Sequence, residues 1–292
     1  MADDKKVTIV EVGPRDGLQN EKALIATDDK LKLISLLADA GFSRIEVTAF
    51  VSPKWVPQMA DHDDVMRRAT RRNGLILAAL VPNEKGAAAA IKAGAQELAV
   101  FTSASETFAQ KNINCTVEES IDRFKPVLAL AEHHGIPVRG YVSCAVDCPF
   151  EGAIDPSSVR SVAERLVALG CAEIAVADTI GRGTPDKVDA MLAEVLKAIP
   201  ANSIACHFHD TSGLALTNVD VALGHSIRVF DSAVGGLGGC PYAPGAAGNL
   251  ATGKLVQHLL WRGYNPMIDE KDLTIAERFA KDIHAKAILL SS

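Results

Sequence analysis

The chain has no apolar run approaching the ~20 residues that a membrane-spanning helix needs, so a transmembrane protein is not expected. It has no long basic block either, and its formal net charge is -6. A nucleic-acid groove is therefore not expected, although a local patch for an anionic small molecule stays open. Its six cysteines (Cys115, Cys144, Cys148, Cys171, Cys206 and Cys240) include no CxxC pair. That argues against a structural zinc site and for reduced thiols. The start, Met1-Ala2-Asp3-Asp4-Lys5-Lys6, has no apolar h-region. Neither a secretory signal nor an Arg-rich transit peptide is expected, and the location is read as cytoplasmic. No GxGxxG follows the first apolar run, which weighs against a dinucleotide-binding open sheet.

What is present is size and rhythm. The 292 residues are 48% hydrophobic and 23% charged, enough for one large core. Eight short apolar runs, many of them β-branched, read as strands: 7–13, 44–50, 75–81, 97–103, 138–144, 173–179, 204–210 and 229–235. Helical patterns lie between them. Thr27-Asp28-Asp29 opens one that Gly41 stops, and Thr116-Val117-Glu118-Glu119 is a capping box ahead of another. Asp155-Pro156 and Thr184-Pro185 put proline at a first helical position, where its missing N–H is harmless. Strands alternating with helices predict an α/β fold, a (β/α)8 TIM barrel. Residues 1–292 are expected to form one catalytic domain, with 264–292 a C-terminal helical extension. A doubly wound sheet is the alternative.

The most informative stretch is Ala205-Cys206-His207-Phe208-His209-Asp210. On a strand, i and i+2 side chains share a face, so His207 and His209 could grip one cation. Barrel active sites lie at the C-terminal ends of the strands. That rim would gather Glu11 and the turn Gly13-Pro14-Arg15-Asp16-Gly17, Glu46, Cys144, Asp178-Thr179, the histidines, and the loop Gly235–Asn249. Two imidazoles with Asp16, and Asn249 as a fourth candidate, make a nitrogen–oxygen set suited to Mg2+ or Mn2+. The Gly-rich loop carries Cys240, which reads as a thiol delivered by a mobile lid. Gly248–Lys254 nearly matches GxxxxGK, but Leu255 stands where Ser or Thr is needed and no strand directly precedes it, so a P-loop is rejected.

Several segments together resemble the 3-hydroxy-3-methylglutaryl-CoA lyases, members of the metal-dependent lyase and synthase barrels. They are Val12–Asn20, Thr48–Gln58, Lys111–Cys115, Val138–Cys144, Asp178–Gly181, His207–Thr211 and Gly235–Asn249. The resemblance implies that Asp16, His207, His209 and Asn249 hold a divalent cation and that Arg15 steadies an enolate oxygen. It implies that Cys240 is needed for turnover, with Asp178, Glu46 and Glu11 near the reacting centre. The implied reaction is retro-Claisen cleavage of 3-hydroxy-3-methylglutaryl-CoA to acetoacetate and acetyl-CoA. Asp178 is the expected base, with His207 as its rival. Arg15, Gln19 and Thr179 are expected against substrate, with Lys22 and Asn112 on loops that could reach the CoA moiety. A homo-oligomer, a dimer, is expected.

The sequence departs from the family pattern at Ala177, Arg182, Ser212 and Leu214, and Asp147 stands where glycine is usual. A different 3-hydroxyacyl-CoA is therefore an alternative substrate. A Claisen-condensing synthase or an aldolase of the same superfamily is a further rival. A catalytically silent binding protein would be expected to have lost a ligand or Arg15, and none is missing.

Overall fold

All eight apolar runs become strands of one closed parallel sheet in the computed structural model, which describes residues 5–21, 23–238 and 248–291. They are β1 (Thr8–Glu11), β2 (Arg44–Ala49), β3 (Ile76–Leu80), β4 (Glu97–Ser103), β5 (Val138–Ser143), β6 (Glu173–Asp178), β7 (Ile204–Phe208) and β8 (Val229–Ser232). Each pairs with its neighbours in chain order, and β1 closes the barrel against β8, with Thr8 opposite Val229. The β2–β3 register shifts between Glu46 and Thr48, a bulge that re-aims side chains at the rim. A two-stranded hairpin, Asp147–Cys148 with Gly152–Ala153, follows β5 and was not expected.

The helices form where side chains satisfy their ends. They are α1 (Thr27–Asp39), α2 (His62–Arg68), α3 (Glu84–Ala93), α4 (Glu106–Ile113), α5 (Val117–His133), α6 (Pro156–Leu169), α7 (Pro185–Val195), α8 (Ala215–Gly224), α9 (Thr252–Trp261) and α10 (Glu270–Ser291). The Thr116–Glu119 capping box of α5 is present in both directions. Asp155 caps α6 through Ser157 N, and Gly170 ends that helix in the left-handed region at φ 111°. The last helix begins at Glu270, where Asp269 Oδ1 accepts from the amides of Lys271 and Asp272. Among the described residues no helix is long and apolar enough to cross a membrane.

The lower end of the barrel is filled by charge rather than by aliphatic side chains. Arg44, Glu97 and Glu173 each open a strand, on β2, β4 and β6. Arg44 Nη2 bonds both oxygens of Glu97, at 2.9 and 2.8 Å, and Nη1 reaches Glu173 at 3.0 Å. Arg139 on β5 lies 2.8 Å from Glu173 and is 1% exposed. Buried charges are tolerated when paired in this way.

Candidate active site

Strand β1 ends in a buried acid, and the chain then turns so tightly that Gly13–Gly17 forms a single π-type turn. The turn hangs on one carbonyl, Val12 O, which accepts from the amides of Arg15, Asp16 and Gly17. A Cβ at Gly13 would lie 2.5 Å from Glu11 Oε1 and 3.2 Å from Val234 N, so a larger residue would have to push the Glu11 carboxylate aside. Arg15 and Asp16 are thereby aimed into the mouth of the barrel.

Arg15 is buried between two carboxylates. Its Nε bonds Glu46 Oε1, and its Nη1 lies 2.6 Å from Asp16 Oδ1. Burial disfavours its charge, but Glu46 and Asp16 more than offset that and hold the guanidinium above its ordinary range. Burial would raise the Asp16 carboxyl, yet Arg15 and the two histidines bring it down to about 2. Gln19 Nε2 donates to Asp16 Oδ1 at 3.2 Å, and Asn249 Nδ2 donates to Asp16 Oδ2 at 2.8 Å.

His207 and His209 meet Asp16 from the other side. One ligand atom from each of the three residues lies within 4.8 Å of the others. His209 Nδ1 is buried and has no hydrogen-bond partner among the described residues. An orphaned ring nitrogen is costly unless something takes its lone pair. Burial, with His207 nearby, pulls His209 down to about 4, so near neutral pH it is the uncharged imidazole that binds cations. The donor set, two imidazoles and a carboxylate with the Asn249 amide hydrogen-bonded to that carboxylate, fits a divalent cation. Asn249 is placed by the returning chain, which bridges His209 at 249 and Ala233 at 251.

Asp178 ends β6, and the backbone of His209 donates to its carbonyl at 3.3 Å. Its carboxylate accepts from Arg182 N at 3.2 Å and Gly183 N at 2.7 Å. Burial dominates over those amides, and Asp147 adds to it, so the carboxyl is pushed up. Asp147 itself is paired with Lys187 at 2.6 Å. Thr179 Oγ1 accepts from Cys144 N at 2.8 Å. Asn112 stands exposed at the end of α4, without a hydrogen bond to the Asp16 cluster. Cys240 and Lys22 lie outside the described residues. Arg182 and Ser212 are exposed on adjoining rim loops, joined where Ser212 N donates to Gly181 O at 3.2 Å, and Leu214 is half-buried nearby.

Glu11 takes a different place from the one expected. Its Oε1 accepts from Gly13 N at 2.8 Å and Val234 N at 2.9 Å, and its Oε2 accepts from Thr252 Oγ1 at 2.7 Å. It clamps the ends of β1 and β8 to the start of α9 beneath the site. Burial raises its carboxyl to about 7 despite those three donors. A folded-state value above the ordinary one means that the folded protein holds a proton the unfolded chain has released between pH 4.5 and 7. Wild-type stability should therefore fall across that window and level off above it. E11Q, which cannot ionise, should lack this fall. Unfolding free energies of the two proteins from urea titrations should diverge with rising pH, by about 3 kcal/mol at ~1.4 kcal/mol per unit. A pH-independent difference would sink the assignment.

The sequence reading missed Tyr141, Arg139 and Asp231, which connect the site inward. Tyr141 OH donates to Glu46 Oε2 at 3.2 Å, and Arg139 bonds Tyr141 OH at 2.8 Å and Asp231 Oδ1 at 2.7 Å. The available signal was a charged residue, Arg139 or Asp231, inside a short run read as a strand.

The profile of the family described as HMGL-like matches residues 6–280. A mouse protein named 3-hydroxy-3-methylglutaryl-CoA lyase, cytoplasmic, is 55% identical over 263 residues, covering 90% of this chain and 77% of its own length. The crystal structure of the HMG-CoA lyase from Brucella melitensis superposes with a TM-score of 0.95 at 52% identity, covering 96% of this chain and 99% of that one. A structure of an HMG-CoA lyase from Acinetobacter baumannii, in complex with coenzyme A and 3-methylmalate, superposes at 0.92 with 39% identity, covering 98% and 93%. On this extent of likeness, over a barrel with this rim, the chain belongs to the HMGL-like family.

Proposed function

We propose that this protein is a lyase that cleaves 3-hydroxy-3-methylglutaryl-CoA to acetoacetate and acetyl-CoA, using Mg2+ or Mn2+ held by Asp16, His207, His209 and Asn249. The observation that carries this is the convergence of Asp16, His207 and His209 beside a buried Arg15, at the mouth of a barrel of this family. When bound, the cation would lower the pKa of the substrate C3 hydroxyl and polarise the carbonyl that develops there.

The chain's own groups do the rest. Asp178 takes the hydroxyl proton; its raised carboxyl makes it a stronger base than an ordinary aspartate. The two amides from Arg182 and Gly183 fix its orientation while leaving lone pairs for substrate. As the C2–C3 bond breaks, its electron pair moves onto C2 and the thioester oxygen. Arg15 spends two N–H groups on Glu46 and Asp16 and keeps the rest of its fork for that enolate oxygen. The Cys240 thiol then delivers a proton to C2, giving acetyl-CoA. Asp178 is preferred to His207 as the base, since His207 Nδ1 is engaged by Asp231 and its other nitrogen is assigned to the cation in this proposal. Gln19 and Thr179 orient Asp16 and the β5 end rather than substrate. Lys22 and Asn112 stay assigned to the CoA moiety, and a cytoplasmic location and a dimer complete the proposal.

The test is acetyl-CoA release after chelation and metal add-back. Activity should vanish on chelation and return with Mg2+ or Mn2+. Chelation without effect would overturn the metal assignment. The same assay on longer branched 3-hydroxyacyl-CoA analogues bears on Ser212, Leu214 and Arg182: a kcat/KM for the analogues above that for the methyl substrate would replace the substrate named here.

A further inference from the structure

We propose that Asp231 is a positioning residue for the cation site: it holds His207 in one tautomer and one orientation, and it is itself held by Arg139. This rests on the metal assignment above and goes beyond it, since Asp231 belongs to none of the expected ligands.

Asp231 lies in the middle of β8, opposite His207 on β7. Its side chain is 0% exposed. Oδ2 sits 3.1 Å from His207 Nδ1, and Oδ1 accepts from Arg139 Nη2 at 2.7 Å. A carboxylate can only accept, so Nδ1 carries a proton, and in the neutral ring Nε2 is then the nitrogen with the lone pair. That nitrogen is the one free to meet a cation beside Asp16. Carboxylates behind ligating histidines fix both tautomer and ring direction.

The contact does not end at Asp231. Arg139 also bonds Tyr141 OH, Tyr141 donates to Glu46, Glu46 accepts from Arg15, and Arg15 bonds Asp16. Two proposed ligands from different strands, His207 on β7 and Asp16 after β1, are thus ends of one chain of hydrogen bonds. From below, Glu173 holds Arg139 in place. Every residue between those two ends is held on at least two sides, which favours a fixed separation of the ligand pair before any ion arrives.

The experiment has two arms. Metal-free wild-type protein, labelled with 15N-histidine and studied above the ordinary imidazole titration range, should show His207 as the Nδ1–H tautomer. An Nε2–H tautomer would overturn the proposal, and this arm needs no variant. In the second arm, Mn2+ binding is measured by electron paramagnetic resonance on wild type and Asp231→Asn. Asparagine keeps the size but can present either an acceptor or a donor to Nδ1. The variant should bind Mn2+ about 10- to 100-fold more weakly, and its metal-free spectrum should show both tautomers. Affinity equal to wild type would overturn the proposal while leaving the metal site standing. Wild type that binds no Mn2+ would overturn both. If Asp231→Asn does not fold, the wild-type tautomer decides alone.

Discussion

Arg15→Lys is expected to lower kcat by about two to three orders of magnitude with little change in KM. The enolate exists only after the C2–C3 bond has begun to break, so a donor aimed at it acts on the transition state and hardly on the ground state. Removal of one such donor costs about 10²–10³ in rate. Lysine cannot stand in. Arg15 reaches Glu46 through Nε and Asp16 through Nη1, on different sides of a planar fork. An ammonium is a point donor on a flexible stem and can serve one of those carboxylates well, but not both together with a substrate oxygen. The variant should also be less stable, because Glu46 is 1% exposed and would lose its charge partner. Steady-state kinetics and a thermal melt on the same preparation check both effects. A kcat within a few-fold of wild type would remove Arg15 from the chemistry.

Asp178→Asn is expected to lower kcat by about 10²–10⁴, the usual contribution of a general base, while leaving Mn2+ affinity unchanged. The second half of that expectation separates it from a ligand substitution and from Asp231→Asn. Asparagine has nearly the same shape, but its Nδ2 would face one of two backbone donors, Arg182 N or Gly183 N, where a carboxylate oxygen now accepts. A modest fall in melting temperature is therefore part of the result. Near-normal turnover would mean that the hydroxyl proton leaves by another route.

The order of the strands and the main site residues were legible because each carries a local signal. A strand-end turn such as Gly13–Gly17, two histidines at i and i+2, and capped helices at Thr116 and Asp155 are all patterns within ten residues. The lone acid Asp231 was not, and neither was the Arg44–Glu97–Glu173–Arg139 cluster. Each of these is a charged residue in a short strand that offers it no partner within its own segment, and its partners lie on other strands. Only closure of the barrel makes them neighbours. Glu11 was legible as important but not in kind: a buried acid that accepts from Gly13, Val234 and Thr252 has the same sequence signature as one that faces substrate. The hairpin at Asp147–Ala153 was missed because its strands are two residues each, too short for any alternation to show.

The ionic layer at the lower end of the barrel has a consequence for how the chain is made. Arg44 leaves the ribosome with β2 and Glu97 with β4, but Glu173 arrives only with β6, and Arg139 finds Asp231 only when β8 has emerged. A half-barrel assembled early would have to enclose an arginine short of its second carboxylate, at a cost of several kcal/mol. Closure of the lower end before β6 and β8 have emerged is therefore expected to be disfavoured, and limited proteolysis of stalled nascent chains would test that order. The same layer would disfavour fragments cut between β4 and β5 from folding alone, and would favour their recombination when both are present.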